Sequence, residues 1–108
     1  MGSPSHNVTM TVTEGDKLDL NCSAEANPSP TYQWMFNNVI LENENNPTLI
    51  IESIQPDKGG VYRCTARNIR GEGSVEMRLD VVCELNGFFF TFLSVCIKAK
   101  TLPLDISK

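Results

Sequence analysis

Gly60-Val61-Tyr62-Arg63-Cys64-Thr65-Ala66-Arg67 places Tyr62, Cys64 and Ala66 at alternate positions, with Arg63, Thr65 and Arg67 between them. A period of two marks a strand with one dry face and one wet face. Toward the N-terminus, Tyr32, Trp34 and Phe36 alternate with Gln33 and Met35, which predicts a second strand with its aromatics turned inward. Leu18, Leu20 and Cys22 follow a turn at Glu14-Gly15-Asp16, and Val8, Met10 and Val12 precede it. Toward the C-terminus, Val75, Met77, Leu79 and Val81 alternate with outward Glu76, Arg78 and Asp80, after a hairpin-like connection from Asn68 to Gly73. Leu49, Ile51 and Ile54 mark one more strand and its exit, before a turn from Gln55 to Gly60. Asn27-Pro28-Ser29-Pro30 is a loop. The polar stretch from Asn37 to Pro47 holds at most a short edge strand at Val39-Ile40-Leu41. About seven short strands with no helical period predict an all-β fold, an antiparallel sandwich of two sheets.

The chain of 108 residues has room for one such domain. Its net charge of -4 lacks the positive field that a phosphate backbone or an anionic membrane demands, which excludes nucleic acid as a partner. We divide the chain into a flexible lead at 1–7, a sandwich domain at 8–82 and an atypical apolar tail at 83–108. The lead has neither the basic start nor the apolar stretch of a signal peptide.

Cys22 and Cys64 both fall at inward positions, Trp34 lies between them in sequence on the inward face of a third strand, and Tyr62 stands two residues before Cys64. That arrangement suits one disulfide bridging two sheets with an indole packed against it, and a tyrosine hydroxyl returning to nearby backbone. Leu20-x-Cys22, Tyr32-x-Trp34, Leu49-x-Ile51-x-x-Ile54 and Gly60-x-Tyr62-x-Cys64 resemble the immunoglobulin superfamily. The short interval between the cysteines resembles its compact I-type or second constant-type sets. The loop Asn27 to Pro30, running on to Trp34, is similar to that of carcinoembryonic-antigen-like adhesion molecules. The resemblance implies a core around Leu20, Trp34, Leu49, Ile51 and Tyr62. It also exposes a departure: Lys58 occupies the position, six before Cys64, where the family usually carries an acid paired with arginine. A looser lower edge is the expectation.

Asn7-Val8-Thr9 and Asn21-Cys22-Ser23 satisfy the N-glycosylation rule. Alternation directs Gln33, Met35, Arg63, Thr65, Arg67, Glu76, Arg78 and Asp80 to one outer face, the candidate partner surface. Arginine and methionine are common interface anchors. A solvated network in which Arg63 and Arg67 face Glu76 and Asp80 accounts for the same residues. His6 is the only histidine, and no nucleophile, base or metal-ligand cluster assembles around it, so neither an enzyme nor a cofactor is implied.

Four of the five phenylalanines lie in Phe88-Phe89-Phe90-Thr91-Phe92, beyond the last element of the family pattern. An apolar run of about ten residues is too short for a spanning helix, which needs about 20. An alternatively spliced C-terminus, a truncated anchor, and an added strand or interface segment are the readings, the first preferred; Cys83 and Cys96 stand paired or free among them. The whole implies a module of a cell adhesion or receptor protein, on the extracellular side of the plasma membrane or secreted. It would meet a protein partner homophilically or heterophilically, or act as a spacer, and reach the membrane only through other parts of the parent protein. An intracellular domain of a muscle or cytoskeletal protein and a secreted soluble variant are the alternatives.

Overall fold

The computed structural model of the chain describes residues 6–85 and 88–90. Among these residues eight strands run in the order β1 (His6–Thr13), β2 (Leu18–Asn21), β3 (Thr31–Phe36), β4 (Val39–Ile40), β5 (Thr48–Ile51), β6 (Gly60–Asn68), β7 (Gly71–Leu85) and β8 (Phe88–Phe90). A 3-10 turn at Pro56–Lys58 precedes β6. The large sheet has the order β1-β7-β6-β3-β4, with β8 attached to β7, and the small sheet is β2-β5.

Each period-two run turns its apolar set to the space between the sheets. From the large sheet come Val12, Trp34, Tyr62, Cys64, Met77, Leu79 and Val81, and from the small one Leu18, Leu20 and Leu49, joined by Ile54. Ile51 and Phe36 are partly buried against this cluster. Trp34 is fully enclosed, and its indole N–H donates to the Asn46 carbonyl at 2.8 Å. That bond satisfies the one polar group the ring carries into the core. Cys22 and Cys64 form a disulfide between the two sheets.

Three features depart from the sequence reading. The sandwich is not wholly antiparallel: β1 pairs with β7 in parallel, from His6 opposite Val75 to Thr13 opposite Val82. Parallel neighbours need a long connection between them, and the whole of the fold from β2 to β6 serves as that connection. The last strand is not short, since β7 runs for 15 residues, from Gly71 to Leu85. Its final part pairs with the tail, Cys83 opposite Phe90 and Leu85 opposite Phe88. Cys83 is buried and is not a free thiol, whereas Cys96, like the rest of the tail after Phe90, lies outside the described residues.

Local chemistry fixes the lower end. Asn37 and Asn38 both adopt left-handed backbone, φ 49° and 69°, as the two-residue turn joining β3 to β4 requires. The Asn37 amide donates to the Val61 carbonyl at 2.8 Å, and its side-chain Oδ1 accepts the Val61 amide at 2.9 Å. Gly60 has φ 153°, and a Cβ there would stand 2.6 Å from Asn37 Oδ1. The Tyr62 hydroxyl donates to the Lys58 carbonyl at 2.7 Å. Lys58 itself, where the family pattern expects an acid, places its ammonium 5.8 Å from the centre of the Phe36 ring. A cation over an aromatic face thus stands where an ion pair was missing, and both contacts are of comparable modest strength.

Candidate protein-binding face

The outer face of the large sheet is built by register. One row crosses all five strands of the main path: Ile40 on β4, Met35 on β3, Arg63 on β6, Glu76 on β7 and Asn7 on β1. The row beside it carries Gln33, Thr65 and Ser74, and the next carries Thr31, Arg67 and Glu72. On the other side of the central row, Val61 is level with Arg78 and Thr9, and Asp80 is level with Thr11. Gln33, Met35, Arg63, Thr65, Arg67, Glu76, Arg78 and Asp80 therefore share one face.

Their pairings differ from the expected network. Arg63 Nε lies 3.7 Å from Glu76 Oε2 and makes no hydrogen bond, although the atom itself is buried. Arg67 turns instead to Glu72, with Nη2 at 2.7 Å and Nε at 2.8 Å from the same carboxylate oxygen. Asp80 accepts from Arg78, two residues away on its own strand, at 3.2 Å. Arg67 and Arg78 are well exposed, so each of these pairs contributes little to stability. Glu72 was hidden from sequence reasoning because residues 68–73 read as a connection. The actual loop is two residues, Ile69-Arg70, and that symmetric hairpin puts Arg67 opposite Glu72.

The β4 end of the face is apolar. Ile40 is 46% exposed, and Val39, next to it on the edge strand, is 65% exposed. Sequence reasoning did not place Ile40 here, and its pairing with Met35 across the Asn37-Asn38 turn is the signal that would have found it. A shallow groove of about 510 Å3 opens on the face among Thr31, Gln33, Asn45, Thr65 and Arg67. The two sequons sit apart. Asn7 is in β1, level with Glu76, and Asn21 is in β2 of the small sheet. Asn21 is exposed, and its Oδ1 accepts from the Ser23 amide at 2.8 Å and the Ser23 hydroxyl at 2.7 Å.

Among the described residues Tyr62 is the group whose ionisation is clearly displaced: burial, with Asp57 nearby adding to it, pushes the phenol up to about 12. Its place under the sheet makes this a structural property of the core. Among the described residues no three acidic, histidine or cysteine side chains come together as metal ligands. No helix among them is long and apolar enough to cross a membrane.

Known proteins share this architecture. The chain is 36% identical over 91 residues to the cell adhesion molecule Dscam2 of Drosophila melanogaster, a match covering 73% of this chain and 4% of that protein. It is 39% identical over 82 residues to human myosin-binding protein H, covering 66% of this chain and 17% of that one. A solved structure of Dscam superposes with a TM-score of 0.62 at 29% identity, covering 68% of this chain and 19% of the other. The chain thus matches only a small part of each of these larger proteins. The sequence profile described as an immunoglobulin domain matches residues 3–68, more than half of the chain. With the disulfide across the sheets, the enclosed Trp34 and the bonded Tyr62 all within or beside that span, the chain belongs to the immunoglobulin domain family.

Proposed function

We propose that the chain is an extracellular recognition module of a cell adhesion or receptor protein, non-enzymatic, and that it meets a protein partner through the outer face of the large sheet. The observation that carries this reading is the central row. Exposed Ile40 and half-buried Met35 lead directly to Arg63, whose buried Nε has no hydrogen-bond acceptor. An apolar anchor beside an unsatisfied guanidinium nitrogen is a common composition for the centre of an interface. Similarity to an adhesion molecule, Dscam2, supports the extracellular setting. The finer likeness to carcinoembryonic-antigen-like molecules rests on the Asn27–Pro30 loop. A binding screen with this chain tests the proposal: Arg63→Glu, with Arg67→Glu, should weaken capture of the partner at least tenfold. Unchanged binding removes this face.

Similarity to myosin-binding protein H favours a second reading, an intracellular domain of a filament-associated protein. In that setting Cys22 and Cys64 would be reduced. Thiol labelling of the protein from its native cell, without reductant, separates the two: labelled Cys22 and Cys64 support the intracellular reading.

A further inference from the structure

β6 and β7, neighbours in the large sheet, carry opposite charge on the partner face. The outward positions of β6 hold Val61, Arg63, Thr65 and Arg67, and the strand contains no acid. Those of β7 hold Glu72, Ser74, Glu76 and Asp80 beside one arginine, Arg78. The face is neutral as a whole, yet it is striped. The six charged side chains are 37–69% exposed, wet enough for another molecule to reach. Register then adds a second relation: Arg63 is level with Glu76, Arg67 is level with Glu72, and the small side chains of Thr65 and Ser74 share the level between them.

A neutral, ordered pattern of this kind fits a copy of itself. A half-turn about an axis parallel to the strands and midway between β6 and β7 keeps the level of every residue and exchanges the two strands. Arg63 of one copy then meets Glu76 of the other, Arg67 meets Glu72, and each contact occurs twice, as a two-fold interface requires. Thr65 over Ser74 lets the sheets approach. Arg78 comes over Val61 and brings its own counter-ion, Asp80, at 3.2 Å. β3 faces the second copy's β1, which covers Met35 and leaves Ile40 at the rim. A half-turn about an axis across the strands does the opposite. It lays β6 on β6, arginine over arginine, and like charges brought together are costly. Sheets that meet face to face hold their strands within about 30° of each other, which the first axis satisfies.

The arginines have donors to spare. Arg63 stands 3.7 Å from its own Glu76 and its Nε donates no hydrogen bond, while Arg67 turns only Nε and Nη2 of its five-donor fork to Glu72. Four strands about 4.8 Å apart, over the eight steps of about 3.4 Å from Glu72 to Asp80, outline roughly 500 Å2 on each copy. The total of about 1,000 Å2 is the low end for a specific contact and suits a weak, concentration-dependent one.

We infer that the partner of this face is a second copy of the chain, docked by the half-turn that sets the basic β6 stripe on the acidic β7 stripe. This rests on the reading of the outer face of the large sheet as the contact surface.

Sedimentation equilibrium of the oxidised 108-residue chain tests it. The average mass should climb from monomer toward dimer with concentration, and raising salt from about 0.05 to about 0.5 M should weaken the association several-fold, because exposed charges are screened. Arg63→Glu with Arg67→Glu makes both stripes acidic, and Glu72→Arg with Glu76→Arg makes both basic. Each variant alone should stay monomeric, and the two mixed should form a one-to-one heterodimer. The chain with all four changes has its stripes exchanged and every internal pair kept. It should self-associate again, which separates lost docking from a folding defect. A wild-type chain that is monomeric up to about 1 mM, a dimer that survives in the acidic variant, or a mixture that stays monomeric overturns the second copy as partner. Capture of a different protein, abolished by Arg63→Glu with Arg67→Glu while the chain itself stays monomeric, would leave the face standing and remove the self-pairing alone. Reduced Cys22 and Cys64 in the native cell would refute the extracellular setting without changing any of these masses.

Discussion

The Tyr62 hydroxyl donates a 2.7 Å hydrogen bond to the Lys58 carbonyl and so ties β6 to the 3-10 turn that precedes it. The bond is largely shielded from water, since Tyr62 is 3% exposed. Tyr62→Phe should cost about 0.5–1.5 kcal/mol for the lost bond, plus the cost of leaving the Lys58 carbonyl unsatisfied. Denaturant unfolding measures it.

The same phenol gives the domain an alkaline limit. Its pKa is raised to about 12 in the folded chain, from 10.0 for the free side chain. The folded state therefore holds the proton more tightly, and this contribution to stability is complete below about pH 10. It is lost as pH rises toward and through about 12. Spectroscopic titration near pH 12 should show a tyrosinate phase that disappears in Tyr62→Phe, and the variant's stability should fall less steeply across this window.

Trp34 is the keystone of the core, fully enclosed and bonded to Asn46. Trp34→Ala should destabilise by about 3–5 kcal/mol, enough to unfold many domains of this size. Loss of cooperative thermal unfolding would be the corresponding observation.

Replacing Cys22 and Cys64 together by alanine opens a loop of sequence separation 42 and should cost about 2–5 kcal/mol. The check is the shift in denaturant midpoint between the oxidised chain and the double variant. Arg67→Ala should by contrast move stability by less than about 1 kcal/mol, because its pair with Glu72 is exposed.

Gly60 and Asn37 form a coupled pair. Gly60→Ala should destabilise by more than about 1 kcal/mol, since φ 153° is hostile to a side chain and the new Cβ meets Asn37 Oδ1. In an Asn37→Ala background the clash with the Asn37 amide is gone while the Phe36 ring contact at 3.0 Å and the backbone cost remain, so a double-mutant cycle should return non-additive costs.

Much of this was legible in the sequence for a simple reason. Trp34, Tyr62 and Cys64 face inward because alternation is a local property, and each lies in a run long enough to set the phase. The eight residues of one outer face followed from the same rule. What alternation does not contain is register. Arg67 meets Glu72 rather than Asp80 because the hairpin turns at Ile69-Arg70, and Ile40 joins the face because Asn37 and Asn38 both accept left-handed backbone. The parallel partner of β1 was invisible for a related reason: no local signal links His6 to Val75 across most of the chain. Lys58 was read as the loss of an ion pair, while its contact with Phe36 depends on two loops meeting in space.

The pairing of β1 with β7 also settles how the domain would carry a load. Both strands run the same way, so the chain enters at the level of His6 and leaves β7 at the opposite pole. Tension applied between His6 and Leu85 draws β1 one way and β7 the other along their common axis. All eight register pairs of that ladder are then strained together in shear, instead of parting one by one as in a peeled hairpin. Tension between those two points is met by the whole ladder at once, whereas tension applied beyond β8 first peels its three-pair hairpin from β7.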